Sequence, residues 1–233
     1  MSMTSTSSPG HRIVGIIGGM GPEATVDLMR RVIVKTPARD DQDHVHMIVE
    51  NNPKIPSRIA HLVEGTGADP TPELVRIAQN LERAGAQALA MPCNTAHAYA
   101  EAISRAVSIP LLDMVARSVA HIATLHPKAQ VGLLASSAVF KIGLYEKAMT
   151  TAGLSALMPP RQAEVMDLIK AVKRGETGEA AQQLLAELAL DLTNRTDVIL
   201  IACSELSVIS GAITVPYVDS LDVLAADVIK FAA

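Results

Sequence analysis

Short apolar runs alternate with longer helical patterns along the chain, and this alternation constrains the fold more than any other feature. Residues 13–17, 45–49, 88–91, 110–112, 131–134 and 198–201 are rich in Val, Ile and Leu. Most are bounded by Gly, Pro or polar residues, as buried strands are. Helical patterns fill the spaces at 22–35, 71 to about 85, 95–106, 113–124, 161–173, 178–192 and 220–231. The first opens with Pro22 and Glu23 where a helix start favours proline and negative charge. The second opens with Thr71 as cap and Pro72 in the first turn. Strands alternating with helices predict α/β architecture with mostly parallel sheets, whose ligands sit beyond the carboxyl ends of the strands.

The alternation also repeats. Val14-Gly15-Ile16-Ile17-Gly18-Gly19 and Val131-Gly132-Leu133-Leu134-Ala135-Ser136 are both strands running into small-residue turns. Each is followed much later by an apolar strand ending in cysteine, at Cys93 and at Cys203. A chain of 233 residues suits one large domain or two small ones. The repeat favours two similar α/β domains, the first from 12–108 plus 211–233 and the second from 109–210, behind a disordered tail over 1–11.

Composition then excludes partners. The formal net charge is −4 with no long basic run, which argues against nucleic acid or an anionic membrane. Aromatic residues are only 2%, so a base-stacking surface is not expected. No apolar stretch is long enough to span a bilayer, and the start lacks a signal-peptide core. Two cysteines in such a chain do not make a disulfide scaffold, and a cytoplasmic location, where thiols stay reduced, is expected.

Those cysteines carry the main chemical signal. Each leaves a strand, precedes hydroxyl or amide residues, and lies near a helix start whose N–H groups favour a thiolate. Two such thiols flanking a ligand would serve as base and acid on opposite faces of one carbon. From position alone, a pair of buried structural thiols is equally compatible. Cys93 with His97, and His44 with His46, share faces, but no paired metal-ligand spacing is present and no metal is expected. Gly19, Gly21 and Ala24 meet a relaxed dinucleotide fingerprint, with Glu50 placed to hold a ribose. Glu23, however, puts a negative charge where the pyrophosphate would bind. The same turn can instead hold a carboxylate on its exposed N–H groups. Arg58, in a loop stiffened by Pro53 and Pro56, would offer bidentate donors if turned inward, whereas Lys173 reads as an exposed helix end. Serine catalysis lacks a G-x-S-x-G motif, and Glu205 reads as an orienting group beside Cys203.

Taken together, IVGIIGGMGPEAT, NNPKIPSR, MPCNTAHA, VGLLASS with the later LYEK, VMDLIKAVKRG and ACSELS resemble the cofactor-independent aspartate/glutamate racemase family, nearest its aspartate racemase branch. The resemblance runs from about Arg12 to the C-terminus. It departs at Ala202, where the family more often has Gly, at Ser204 for Thr, and at Val139 and Ile142, where the family is richer in hydroxyls. It implies two similar α/β domains with the active site in the cleft between them, and a homodimer. Cys93 and Cys203 would face the substrate from opposite sides. Asn94, Thr95, Ser136, Ser137 and Ser204 would hold its α-amino and α-carboxylate groups. Met20 and Gly21 would line the pocket, and Arg58 and Lys173 would grip the side-chain carboxylate.

The expected activity is racemisation of an acidic amino acid, aspartate before glutamate, with no pyridoxal or other cofactor. With no electron sink, hydrogen bonds and fixed dipoles must stabilise the carbanion formed at Cα. A broad-specificity amino-acid racemase is the first alternative. A dinucleotide-dependent oxidoreductase and a non-catalytic dicarboxylate-binding protein are further ones.

Overall fold

A computed structural model describes residues 12–233; the tail expected over 1–11 lies outside the described residues. The chain builds β1 (Val14–Gly18), α1 (Pro22–Lys35), β2 (Met47–Asn51), α2 (Thr71–Arg83), β3 (Ala88–Ala90), α3 (Ala100–Ala106) and β4 (Leu111–Leu112). It continues through α4 (Met114–Leu125), β5 (Gln130–Leu134), α5 (Ser137–Lys141), α6 (Glu146–Thr151), β6 (Ser155–Leu157) and α7 (Gln162–Lys173). The last elements are α8 (Glu179–Thr193), β7 (Val198–Ile201), α9 (Ser204–Val208), β8 (Tyr217–Asp219) and α10 (Ser220–Ala232).

The strands form two four-stranded sheets, ordered β2-β1-β3-β4 and β6-β5-β7-β8, and every pairing is parallel. The two orders are the same, so the repeat read in the sequence is a repeat of topology. β1 and β7 are buried along their whole length because helices cover both faces, which is why they are continuous apolar runs rather than alternating ones. Gly15 and Gly132 occupy equivalent central strands and admit close neighbours. A Cβ at Gly15 would come within 2.9 Å of the Ala86 Cβ, and one at Gly132 within 3.1 Å of Leu192. α2 buries Leu74, Ile77, Ala78 and Leu81, the spacing of one helix stripe, against the first sheet.

Sheet membership moves the expected crossings between the halves. β4 pairs with β3 and so belongs to the first sheet, past the expected boundary at 108. β8 pairs with β7 and so belongs to the second, although 211–233 was assigned to the first half. The chain therefore crosses after Leu112 and returns after Asp219. Both crossings are capped by aspartate: Asp113 accepts from the Ala116 N–H, and Asp219 from the Leu221 N–H. α10 then packs Leu221, Leu224, Ala225 and Val228 against Val14, Ile16 and Leu28 of the first half.

Other departures are local. The 95–106 helix begins as a tight 3₁₀ turn over Thr95–Tyr99 before α3. The cap of α2 is Pro70 rather than Thr71, whose N–H and hydroxyl both go to Asp69. β2 starts at Met47, leaving His44 and His46 in the preceding turn rather than on one strand face.

Candidate active site

The carboxyl ends of both sheets face one cavity. β1 delivers Met20, β3 delivers Cys93 and Thr95, β5 delivers Ser136, and β7 delivers Cys203 and Glu205. Arg58 comes from the loop after β2 and Lys173 from the end of α7. Cys93 and Cys203 are both buried, with 7% and 6% of their surface exposed, and both line this cavity. Thr95 and Ser136 meet across the two halves with their hydroxyls 3.3 Å apart. The cavity volume is only ≈ 30 Å³, room for a water or two.

Electrostatics distinguish the thiols. Burial pushes the Cys203 thiol well above its ordinary range. Glu205 pushes the same way, by its charge and as acceptor of the Sγ–H at 3.2 Å, while Lys173 pulls the thiol down. Burial also raises Cys93, but Arg58 is its largest opposing influence. The N–H groups expected to favour thiolate are present, from Ala96 toward Cys93 and Leu206 toward Cys203. They are outweighed by burial, which corrects the expectation from helix starts alone.

The cations differ in their commitments. Lys173 Nζ lies 3.5 Å from Glu205 Oε1. Arg58 gives Nη1 to the carbonyls of Pro56 at 2.8 Å and Ile55 at 3.3 Å, and its buried Nε has no partner among the described residues. A buried donor left in this way is costly unless a ligand or water completes it.

Four expected residues lie outside the cavity lining. The Asn94 side chain accepts from Tyr145 Oη at 2.5 Å and donates to Ser220 Oγ at 3.1 Å, so it braces the two halves. Ser137 gives its N–H to Met166 Sδ, and its hydroxyl accepts from Gln162. Ser204 is buried, its hydroxyl without a partner among the described residues. Gly21 adjoins the cavity, since a Cβ there would sit 3.7 Å from Glu205 Oε1. Three lining residues were not anticipated: Ser57, Ile59 and Ile169. The first two flank Arg58, and Ile169 precedes Lys173 by one helical turn, a spacing that places both on one face of α7.

The dinucleotide alternative meets two obstacles. Gly19, at φ 96°, lies so close to Asn52 that a Cβ would come within 2.2 Å of its backbone, so Asn52 covers the turn where a pyrophosphate would lie. Glu50, expected to hold a ribose, is engaged by Arg76 at 2.7 Å and Asn80 at 3.3 Å. Among the described residues no group of three or more His, Cys, Asp or Glu is arranged to hold a metal ion, and no helix is long and apolar enough to cross a membrane.

A duplicated parallel sheet with a cysteine at each facing strand end is the arrangement to be matched against known proteins, and the match is to amino-acid racemases, which are isomerases. The model of Asp/Glu/Hydantoin racemase matches residues 17–228, and the chain belongs to that family. The aspartate racemase of Picrophilus torridus has a similar structure, with a TM-score of 0.87 and 32% identity over 95% of this chain and 94% of that one. The broad specificity amino-acid racemase RacX of Bacillus subtilis (strain 168) is 28% identical over 220 residues, covering 91% of this chain and 95% of that protein. A glutamate racemase from Francisella tularensis subsp. tularensis SCHU S4 shares the fold, with a TM-score of 0.61 at 15% identity over 95% of this chain and 81% of that one.

Proposed function

We propose that this chain racemises an acidic amino acid, aspartate in preference to glutamate, by a two-base reaction of Cys93 and Cys203 that uses no cofactor. The observation that carries the reading is that the two thiols, from equivalent strands of a duplicated unit, line one small cavity. One cysteine starts as thiolate and takes the Cα proton. The electron pair left on Cα then takes the thiol proton of the other cysteine on the opposite face, so the two exchange protonation states. Cys203, which donates to Glu205, is the more firmly held thiol of the pair, and Cys93, where Arg58 opposes the effect of burial, is the one that gives up its proton before the transfer begins. Arg58 receives a substrate carboxylate at its Nε, which has no partner among the described residues, and Thr95 and Ser136 receive the α-amino and α-carboxylate groups. A water-poor site strengthens each of these contacts as charge develops on Cα. Preference for aspartate is supported by likeness to the Picrophilus protein.

Broad specificity is the second reading. It is favoured by the relationship to RacX, by the pairing of Lys173 with Glu205, and by the apolar walls Met20, Ile59 and Ile169. A homodimer belongs to the proposal on the family resemblance, and Val26, Ile33 and Val34 offer an exposed apolar strip on α1.

The test incubates L-aspartate, L-glutamate and L-alanine separately in D₂O with wild type, Cys93→Ala and Cys203→Ala. Deuterium at Cα with formation of D-aspartate is the expected result for wild type. No uptake and no enantiomer from any of the three would overturn the racemase proposal. Equal rates on all three would replace acidic specificity with the broad reading. Full racemisation by either variant would exclude the two-thiol mechanism.

A further inference from the structure

The residue four positions after each cysteine ties that cysteine's peptide to the nearer crossing between the two halves. In the first half this residue is His97, which is buried. Its Nε2 lies 3.1 Å from the Met114 N–H and can only accept there, so the ring carries its proton on Nδ1. Nδ1–H then donates to the Cys93 carbonyl at 2.9 Å. Met114 opens α4 at the first crossing. It packs in the core of the first half, whereas Val115, Val119 and Ile122 of the same helix pack in the core of the second. Both ring nitrogens are thus used, which leaves His97 no lone pair for a metal.

In the second half the equivalent residue is Ser207. The Cys203 carbonyl accepts the Ser207 N–H at 3.2 Å, and the Ser207 hydroxyl donates to Asp219 Oδ1 at 2.7 Å. Asp219 ends β8 at the return crossing. Arg31 of the first half locks this corner, donating to Asp219 Oδ2 at 2.8 Å and to the Ser207 carbonyl at 2.7 Å. The two copies therefore link cysteine to crossing by different means, through the imidazole at His97 and through a backbone N–H together with the hydroxyl at Ser207.

We propose that His97 and Ser207 are positioning residues that register Cys93 and Cys203, respectively, to the two interdomain crossings, so that the relative placement of the halves sets where each thiol stands. The inference rests on the two-thiol reading for its catalytic meaning, but its structural content is separate. A buried hydrogen bond fixes the backbone atoms on which a side chain is hung, and its loss lets that side chain wander. Loosening Cys93 would expose its sulfur more often while spoiling its alignment for proton transfer. Each effect should stay on its own side of the cleft.

The experiment uses the full chain as wild type, His97→Asn, His97→Gln, Ser207→Ala and Ser207→Thr. Asn places an amide N–H near the Nδ1 position but leaves the Met114 N–H unanswered. Gln reaches the Nε2 position but withdraws from the Cys93 carbonyl, so the two variants cut the connection at different ends. Alkylation by iodoacetamide is followed at each cysteine by peptide mass spectrometry. In parallel, isotope effects are measured with Cα-deuterated L- and D-aspartate. Either His97 variant should raise Cys93 alkylation about tenfold, the worth of one buried hydrogen bond, with Cys203 unchanged. Ser207→Ala should do the reverse, and Ser207→Thr, which keeps the hydroxyl, should restore the wild-type pattern. The isotope effect should grow for the enantiomer deprotonated by the loosened cysteine and not for the other. Equal changes at both cysteines, or no change at either, would overturn the inference. If wild type racemises nothing, the two-thiol proposal falls, and the alkylation pattern alone decides the positioning. A variant that does not fold leaves the decision to the other substitution at the same position.

Discussion

The Cys203 thiol donates to Glu205 Oε2 across 3.2 Å, and the other oxygen of that carboxylate lies 3.5 Å from Lys173 Nζ. A thiol facing a buried carboxylate loses its proton reluctantly, because the thiolate would stand beside like charge. Glu205→Gln removes that charge, so the pH at which Cys203 becomes reactive moves down. Lys173→Met removes a cation that favours the thiolate, and the same midpoint moves up. Peptide-resolved alkylation across pH measures both shifts. Midpoints that move together, or not at all, would show that this triad does not control the thiol.

Arg58→Ala should weaken the use of aspartate more than that of alanine. The Nε of Arg58 is buried in the cleft without a partner among the described residues, and a hydrogen bond to a charged group is worth about 1.5–3 kcal/mol. The expected loss in kcat/KM for aspartate is about ten- to hundredfold, carried mainly by KM, with alanine changed by less. Equal losses on both substrates would assign Arg58 to the α-carboxylate instead of the side chain.

Much of this arrangement is visible in the amino-acid order. The strands that carry Cys93 and Cys203 are uninterrupted apolar runs closed by polar residues, because both of their faces are covered. β6 and β8 are three-residue edge strands that mix polar with apolar residues, Ser155-Ala156-Leu157 and Tyr217-Val218-Asp219, so neither stands out as an apolar run. Arg31 stands one turn from Asp27 on α1 and donates to it at 2.8 Å. Its burial follows from Asp219 and Ser207, which lie far along the chain. Asn94 likewise looks like a substrate contact beside the cysteine, and only packing shows its amide committed to Tyr145 and Ser220. Strand ends are local properties of a chain, whereas side-chain commitments across a duplicated fold are not.

Acid should destabilise the fold in part through His97. Burial lowers the folded-state pKa of this histidine, so below about pH 6.5 the unfolded chain takes a proton that the folded chain refuses. Stability from this group is therefore present above that pH and is lost as pH falls toward the depressed folded value, at up to about 1.4 kcal/mol per pH unit. Asp219 acts in the opposite sense, because burial raises its carboxyl and protonation favours the folded chain as pH falls. The difference between wild type and His97→Gln isolates the histidine. Urea unfolding at pH 7.5, 6.5 and 5.5 should show wild type losing more stability than the variant mainly over the step from 6.5 to 5.5, and parallel losses there would contradict the assignment.

The close packing at Gly15 gives a test of the duplicated core itself. Alanine there would place a Cβ 2.9 Å from Ala86 Cβ, 3.0 Å from Leu81 Cβ and 3.1 Å from Leu89 Cδ2. Two of those atoms are Cβ atoms fixed to the backbone, so relief requires α2 and the turn before β3 to shift. Overpacking of this kind costs about 1–3 kcal/mol. Gly211 has open space at the same position, so Gly211→Ala serves as the matched change with no steric cost. Thermal melting should place Gly15→Ala several degrees below wild type and Gly211→Ala close to it. Equal melting temperatures for the two variants would mean that β1 and α2 are held less tightly than this geometry requires.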